Sequence, residues 1–211
     1  AVYSAINANC TSWKAEGALL DRVEEQKLLK QAQRGNADAF SALYKAHVQT
    51  VFRYIYHRVN NVQLAEDLTG DVFTRALTGL ASYQDLGKPF VAWLYSIAHA
   101  RVVDYYRRAG RQSDESDEVI ERIPVSHDMD EGILRRQAIK ALREAITSLT
   151  GEQQQVVILR FIEGYRIEQV AELMGKNANA IKALQHRALR SLASRLERTG
   201  LDMDAIFSGL L

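Results

Sequence analysis

The sequence predicts an all-α protein made of two helical domains joined by a flexible acidic linker. Apolar residues recur at spacings of three and four along most of the chain, and no segment alternates apolar with polar residues long enough to suggest a sheet. Only two prolines occur, Pro89 and Pro124, and both fall where a break belongs. From about Ala109 to Glu131 the character changes: between Ser113 and Glu131 there are eight Asp/Glu against one Arg, a net charge of −7.

Taken in order, residues 1–20 read as an N-terminal extension, trimmed or appended, with no assigned role. "AVYSAINANC" lacks the basic stretch followed by an apolar core that marks a signal peptide. The first domain, 21–110, opens with a helix over 22–34, and Gly35-Asn36 turns the corner into the next. That second helix carries Phe40, Leu43, Tyr44, His47, Val48, Val51, Phe52, Ile55 and Val59 on one stripe. "NNV" interrupts it. A third helix, about 63–79, places Leu64, Leu68, Val72, Ala76 and Leu80 on one side. "SYQDLGK" is a loop, and Pro89 then suits the first turn of a long helix to about Arg108, on which Phe90, Trp93, Leu94, Ile97, Val102 and Tyr105 repeat.

The linker spans 111–132. The second domain, 133–199, resumes helical periodicity over about 132–148, 152–163, 167–174 and 178–198. Thr150 with Gln153 forms a capping-box pattern before "VVILRF", and Gly164 ends that helix. Residues 200–211, "LDMDAIFSGLL" and the glycine before it, form a tail whose role the pattern leaves open between a terminal helix and a partner interface.

Several function classes are disfavoured. The single cysteine, Cys10, excludes an internal disulfide and a cysteine zinc site. His47, His57, His99, His127 and His186 show no metal spacing, and there is no phosphate-binding loop, dinucleotide turn or G-x-S-x-G. No enzyme activity, metal or cofactor is therefore expected. No apolar run approaches the ~20 residues of a membrane span, so no membrane insertion is expected.

The stretch "RIEQVAELMGKNANAIKALQHRALR" has the pattern of a helix-turn-helix. A small residue, Ala171, sits where the helices cross; Gly175 follows four later at the corner; Ile181 anchors the second helix six after that. Asn177 suits the N-cap, and Val170, Leu173, Ile181 and Leu184 would form the small core. Asn179, Lys182, Ala183, Gln185, His186, Arg187 and Arg190 are left facing outward. Asn and Gln suit adenine, while Lys and Arg suit guanine or phosphate. Across Arg166–Arg198 seven Lys/Arg meet three Glu, so a chain of net charge +1 hides a basic second domain behind an acidic linker.

Three motifs in order, "AEDLTGDVFTRAL", "PFVAWLYSIAHARVVDYYRR" and "LTGEQQQVVILRFIEGYRIEQVAELMGKNANAIKALQHRAL", resemble the extracytoplasmic-function sigma factors of RNA polymerase, over roughly 22–108 and 135–196. The resemblance implies a cytoplasmic bacterial initiation subunit that keeps only conserved regions two and four. Its partners would be core RNA polymerase (β and β′ subunits), promoter DNA and an anti-sigma factor. Region two would bind polymerase through Asp67, Leu68, Asp71 and Arg75, and would recognise and melt the −10 element through Tyr83, Lys88, Trp93, Tyr95, His99, Arg101, Arg107 and Arg108. Region four would read the −35 element with the outward residues of the second helix. The chemistry is consistent: melting needs aromatic surfaces for unpaired bases beside cations for the backbone. The sequence departs from the family pattern at Gly70, where Gln is frequent, at Ala100, where Asn is common, and at Thr150-Gly151, where Pro is usual. The competing reading is a free-standing helix-turn-helix regulator, which would not co-elute with core polymerase.

Overall fold

A computed structural model describes residues 21–112 and 131–198. The N-terminal extension, linker residues 113–130 and the C-terminal tail lie outside the described residues, as do the expectations attached to them. The described residues form helices and turns and no strand. In order they are α1 (Arg22–Gln33), α2 (Ala37–Val59), α3 (Val62–Gly79) with a 3₁₀ turn (Leu80–Ser82), α4 (Phe90–Gln112), α5 (Glu131–Thr147), α6 (Gly151–Val157) running into a π turn (Ile158–Ile162), α7 (Ile167–Met174) and α8 (Ala178–Glu197).

Local chemistry sets the boundaries. Asn36 and Asn61 cap α2 and α3 by accepting from the amides of Ala39 and Leu64. Asn60, at φ 52°, terminates α2 in the left-handed conformation that Asn tolerates. Thr150 N–H donates to Gln153 Oε1, as the capping-box pattern requires. Pro89 lies just ahead of α4 rather than inside it, where its carbonyl accepts from Ala92 N–H.

The first four helices pack around Leu43, Val51, Ile55, Ala65, Val72, Leu94 and Val102, all essentially inaccessible. A smaller core, containing Ile146, Leu149, Val157, Leu192 and Leu196, closes α5, α6 and α8. The two domains are not separate bodies. Ile158, Leu159, Val170, Leu173 and Ile181 of the second half join the main core of the first. Here α4 lies on α7, and α2 lies on α5 and the π turn.

Gly70 stands mid-helix on the exposed side of α3, and a Cβ there would meet nothing within 4 Å. Gly in a helix interior costs about 0.5–1 kcal/mol relative to Ala. Gly70→Ala should therefore raise the melting temperature by about 1–4 °C. Thermal denaturation followed by circular dichroism checks this, and a fall in Tm would mean the site is not open.

Candidate nucleic-acid interface

The helix-turn-helix is built by α7 and α8. Gly175 adopts φ +63° at the corner, where a Cβ would be strained. Its amide closes α7 onto Glu172 O, and Lys176 N–H bonds to Ala171 O. Asn177 Oδ1 accepts from Ala180 N–H at 2.8 Å to start α8. Val170, Ala171, Leu173, Ile181, Leu184 and Ala188 are buried and fix the face that α8 turns inward. Asn179, Lys182, Ala183, His186, Arg187 and Arg190 are exposed on the opposite side. None of the polar ones has a hydrogen-bond or ion-pair partner among the described residues. Gln185 differs: it is half-buried, and its Oε1 accepts from Arg160 Nε at 3.2 Å.

At the other end, the loop 83–89 and the start of α4 form an aromatic cluster. The Tyr83 ring lies 4.7 Å from Trp93 and 5.6 Å from Phe90. Trp93 is half-buried, while Lys88 is exposed beside it. Together with Gln84 they line an open cleft of about 510 Å³, whose far wall is Leu173, Met174 and Gly175 of the helix-turn-helix corner. Arg107 and Arg108 are exposed farther along α4, Arg107 holding Asp104 at 2.8 Å.

Two residues assigned to binding surfaces prove to be core. Tyr95 is 0% exposed, packed against the Tyr54 ring at 4.7 Å. Burial first, with Tyr165 and Glu163 of the second half nearby, pushes its phenol well above the ordinary range. In this arrangement its ring is not available to a base. Leu68 is 5% exposed because it continues the buried stripe Ala65–Leu68–Val72–Ala76, so it supports the α3 face from beneath. Two more are committed inside the chain. Arg101 is largely covered and reaches Asp71 Oδ2 at 2.6 Å, tying a residue assigned to DNA to one assigned to polymerase. His99 Nδ1 lies 2.8 Å from Arg58. Burial, then Arg58, lowers its pKa, with Glu152 partly offsetting them, so the neutral ring accepts at Nδ1. Asp67 and Arg75 remain exposed on α3 beside Asp71.

The sequence reading missed the junction between the halves. Arg53 Nε and a terminal nitrogen hold both oxygens of Glu163, at 3.0 and 2.7 Å. Arg58, 2% exposed, donates to Tyr54 Oη and Gln154 Oε1. Arg143 lies over the Tyr56 ring at 5.7 Å. The signal was present as three arginines and a histidine interrupting apolar stripes, but without the fold it reads as solvated surface.

His57 sits among these cations. Burial first, then Arg143 and Arg53, lowers its pKa from 6.5 to about 4. In the unfolded chain it titrates near 6.5. Between those values the unfolded chain holds a proton that the folded chain lacks, so stability falls as pH drops through the window and levels off below it. By pH 5 the expected loss is about 1–2 kcal/mol. His57→Asn should remove that part of the decline, seen as a flatter urea midpoint between pH 6.5 and 4. Parallel curves for the two proteins would contradict it.

This geometry has counterparts in known proteins. Residues 43–112 match the family model for Sigma-70 region 2, and residues 139–192 match that for Sigma-70, region 4. The chain is 38% identical over 177 residues to the ECF RNA polymerase sigma factor BldN of Streptomyces coelicolor, covering 83% of this chain and 67% of that one. Among solved structures, CnrH in complex with the cytosolic domain of CnrY shares the fold at TM-score 0.60 and 22% identity, covering 83% of this chain and 98% of that one. The sigma factor RpoE of Bartonella quintana, solved with the anti-sigma factor NepR, does so at TM-score 0.56 and 22% identity, covering 75% and 96%.

Proposed function

The chain belongs to the extracytoplasmic-function sigma factors of the sigma-70 family, and from that premise we propose how its surfaces divide the work of transcription initiation. Residues 21–110 are the module for core polymerase and the −10 element, 133–199 the module for the −35 element, and 111–132 their tether. Asp67, Asp71 and Arg75 present a charged face of α3 to the polymerase β′ subunit, supported by Leu68 and oriented at Asp71 by Arg101. Tyr83, Lys88 and Trp93 receive an unpaired −10 base, and Arg107 and Arg108 follow the DNA backbone. Asn179, Lys182, Ala183, His186, Arg187 and Arg190 enter the major groove at −35, with Gln185 steadied by Arg160.

The observation that carries this reading is the outer edge of α8. Polar and cationic side chains stand exposed and without partners among the described residues, over a second helix whose inner face is fully committed to the core. A hairpin helix that merely covered a core would not need that density of free donors.

Sites two turns apart on one DNA face are separated by about 70 Å. A tether of 22 residues spans at most about 73–79 Å, so it bridges them only when nearly fully extended. The halves must part to do so, because the closed arrangement places the helix-turn-helix corner against the −10 cleft. The bond-forming site belongs to the polymerase and this chain supplies binding alone, in the cytoplasm where polymerase works. No described helix is long and apolar enough to cross a membrane. We extend to it an anti-sigma partner like the one solved with RpoE, covering the α3 and α8 faces.

Transcription in vitro with core polymerase on a genomic library tests the whole. Defined start sites preceded by a shared pair of elements are expected. Sequence-specific duplex binding without polymerase, and no initiation with it, would favour the free-standing regulator.

A further inference from the structure

Three side chains of α1 reach the loop that carries the proposed base site. Gln33 Nε2 donates to the carbonyl oxygens of Leu80, at 3.2 Å, and Tyr83, at 2.7 Å. Gln26 Nε2 donates to Asp85 Oδ2 at 2.9 Å, and Asp85 Oδ1 in turn accepts from Gly87 N–H at 2.9 Å. Glu25 Oε2 accepts from Phe90 N–H at 3.2 Å, the first amide of α4, while Oε1 lies 2.9 Å from His47 Nε2. Gln26 and Gln33 are seven residues apart, two helical turns, and so share a face.

These bonds pin the loop at its start, middle and end. Leu80 O, at the start of the 3₁₀ turn, also accepts from Tyr83 N–H, and Tyr83 O lies just past the turn. The Tyr83 carbonyl is exposed enough for water to satisfy it, so the amide adds less to stability than to position. Position matters because the Tyr83 ring, 4.7 Å from Trp93, is one wall of the cleft. A base held against such walls discriminates only if the walls do not move. The family match for region 2 begins at residue 43, beyond α1 altogether.

We propose that α1 is a positioning element for base selection: Gln33, supported by Gln26 and Glu25, holds the loop 83–89 in the shape that distinguishes one unpaired base of single-stranded promoter DNA from another. The inference rests on the proposed −10 role of that loop. Holoenzyme assembled from the full chain and core polymerase is titrated with single-stranded oligonucleotides that differ by one base along the −10 element. Duplex −35 DNA and core polymerase affinity are measured alongside. Gln33→Met keeps the length of the side chain and removes its donors. It should lower base discrimination about tenfold, leaving −35 and polymerase affinity within about twofold, the scatter of surface substitutions. Gln33→Lys, which restores a donor of similar reach, should recover most of the loss.

Undiminished discrimination in Gln33→Met overturns the proposal. So does a parallel fall in all three affinities, which would make the side chain merely structural, and so does a Lys variant no better than Met. A wild-type holoenzyme with no base preference overturns the reading of the loop itself, and this inference with it.

Discussion

Arg53→Ala opens the molecule. The Glu163 side chain is only 5% exposed, and Arg53 engages both its oxygens across the junction. Removing one partner of a covered ion pair strands the other, at a cost of about 3 kcal/mol, the low end of the usual range because Arg53 itself keeps some solvent. In the parted arrangement both groups reach water, so the penalty falls on the closed arrangement alone. The closed-to-open ratio should drop about a hundredfold. Fluorescence transfer between labels at Thr74→Cys and Ser194→Cys, in a Cys10→Ser background, reads the change as a longer separation. The double variant Arg53→Ala/Glu163→Ala should recover part of it, because the stranded carboxylate is gone. An unchanged separation in the single variant would show that the apolar contacts hold the halves together unaided. If opening precedes docking, Arg53→Ala should also bind core polymerase more tightly, since the competent fraction scales the apparent affinity.

The junction is suited to parting. Besides its apolar contacts it buries Arg58 and Gln154, and half-buries His99. The bonds of Arg58 run to a phenol, an amide and an imidazole rather than to a carboxylate. A cation kept from water with neutral acceptors repays its desolvation poorly. Each of these groups regains solvent on opening, which lowers the cost of separation relative to an all-apolar seam of equal size. Inter-domain surfaces that move tend to be polar for this reason.

Much of the fold was legible because helix ends are written in local chemistry. Asn36, Asn61 and Asn177 each cap the helix that the apolar period then continues. The helix-turn-helix was legible for the same reason: a small residue, a left-handed glycine and an apolar anchor are demands made within about ten residues of one another. Burial on α4 was harder. Its apolar residues cover more than one stripe, and Val91, Tyr95, Ala98 and Val102, at spacings of four, three and four, form the one on which Tyr95 is buried. That spacing was a usable signal for Tyr95, masked by the neighbouring stripe of Phe90, Leu94 and Ile97. Arg101 and His99 were not legible at all. Their closest partners, Asp71 and Arg58, lie 30 and 41 residues away, although Asp104 is a second, local partner of Arg101 at 3.6 Å. The local carboxylate Asp104 does not by itself distinguish an arginine that braces a distant carboxylate from one that waits for phosphate. The linker marked two helical domains, but connection by a tether says nothing about the surface the two share.

Lys182 and Arg187 supply the second large effect, and the contrast with Arg53 is instructive. Both stand exposed on α8, and neither has a partner among the described residues. Ala is the best helix former, so Lys182→Ala/Arg187→Ala should leave the fold and the junction intact. Loss of two contacts that each contribute about 1–3 kcal/mol should weaken holoenzyme binding to a −35 duplex about thirtyfold, taking the low end for side chains at a solvated edge. Salt separates the two ways this can happen. If both cations neutralise phosphates, the slope of log affinity against log salt should become shallower by about two, equally on all sequences. If either reads a base edge, the slope change should be nearer one and the preference for the −35 sequence should relax at a single position. Polymerase affinity should not move in either case, because α3 lies on the other half of the chain. An unchanged −35 affinity, with an unchanged salt slope, would leave the exposed edge of α8 as ordinary solvated surface and remove the observation on which the promoter-reading role rests.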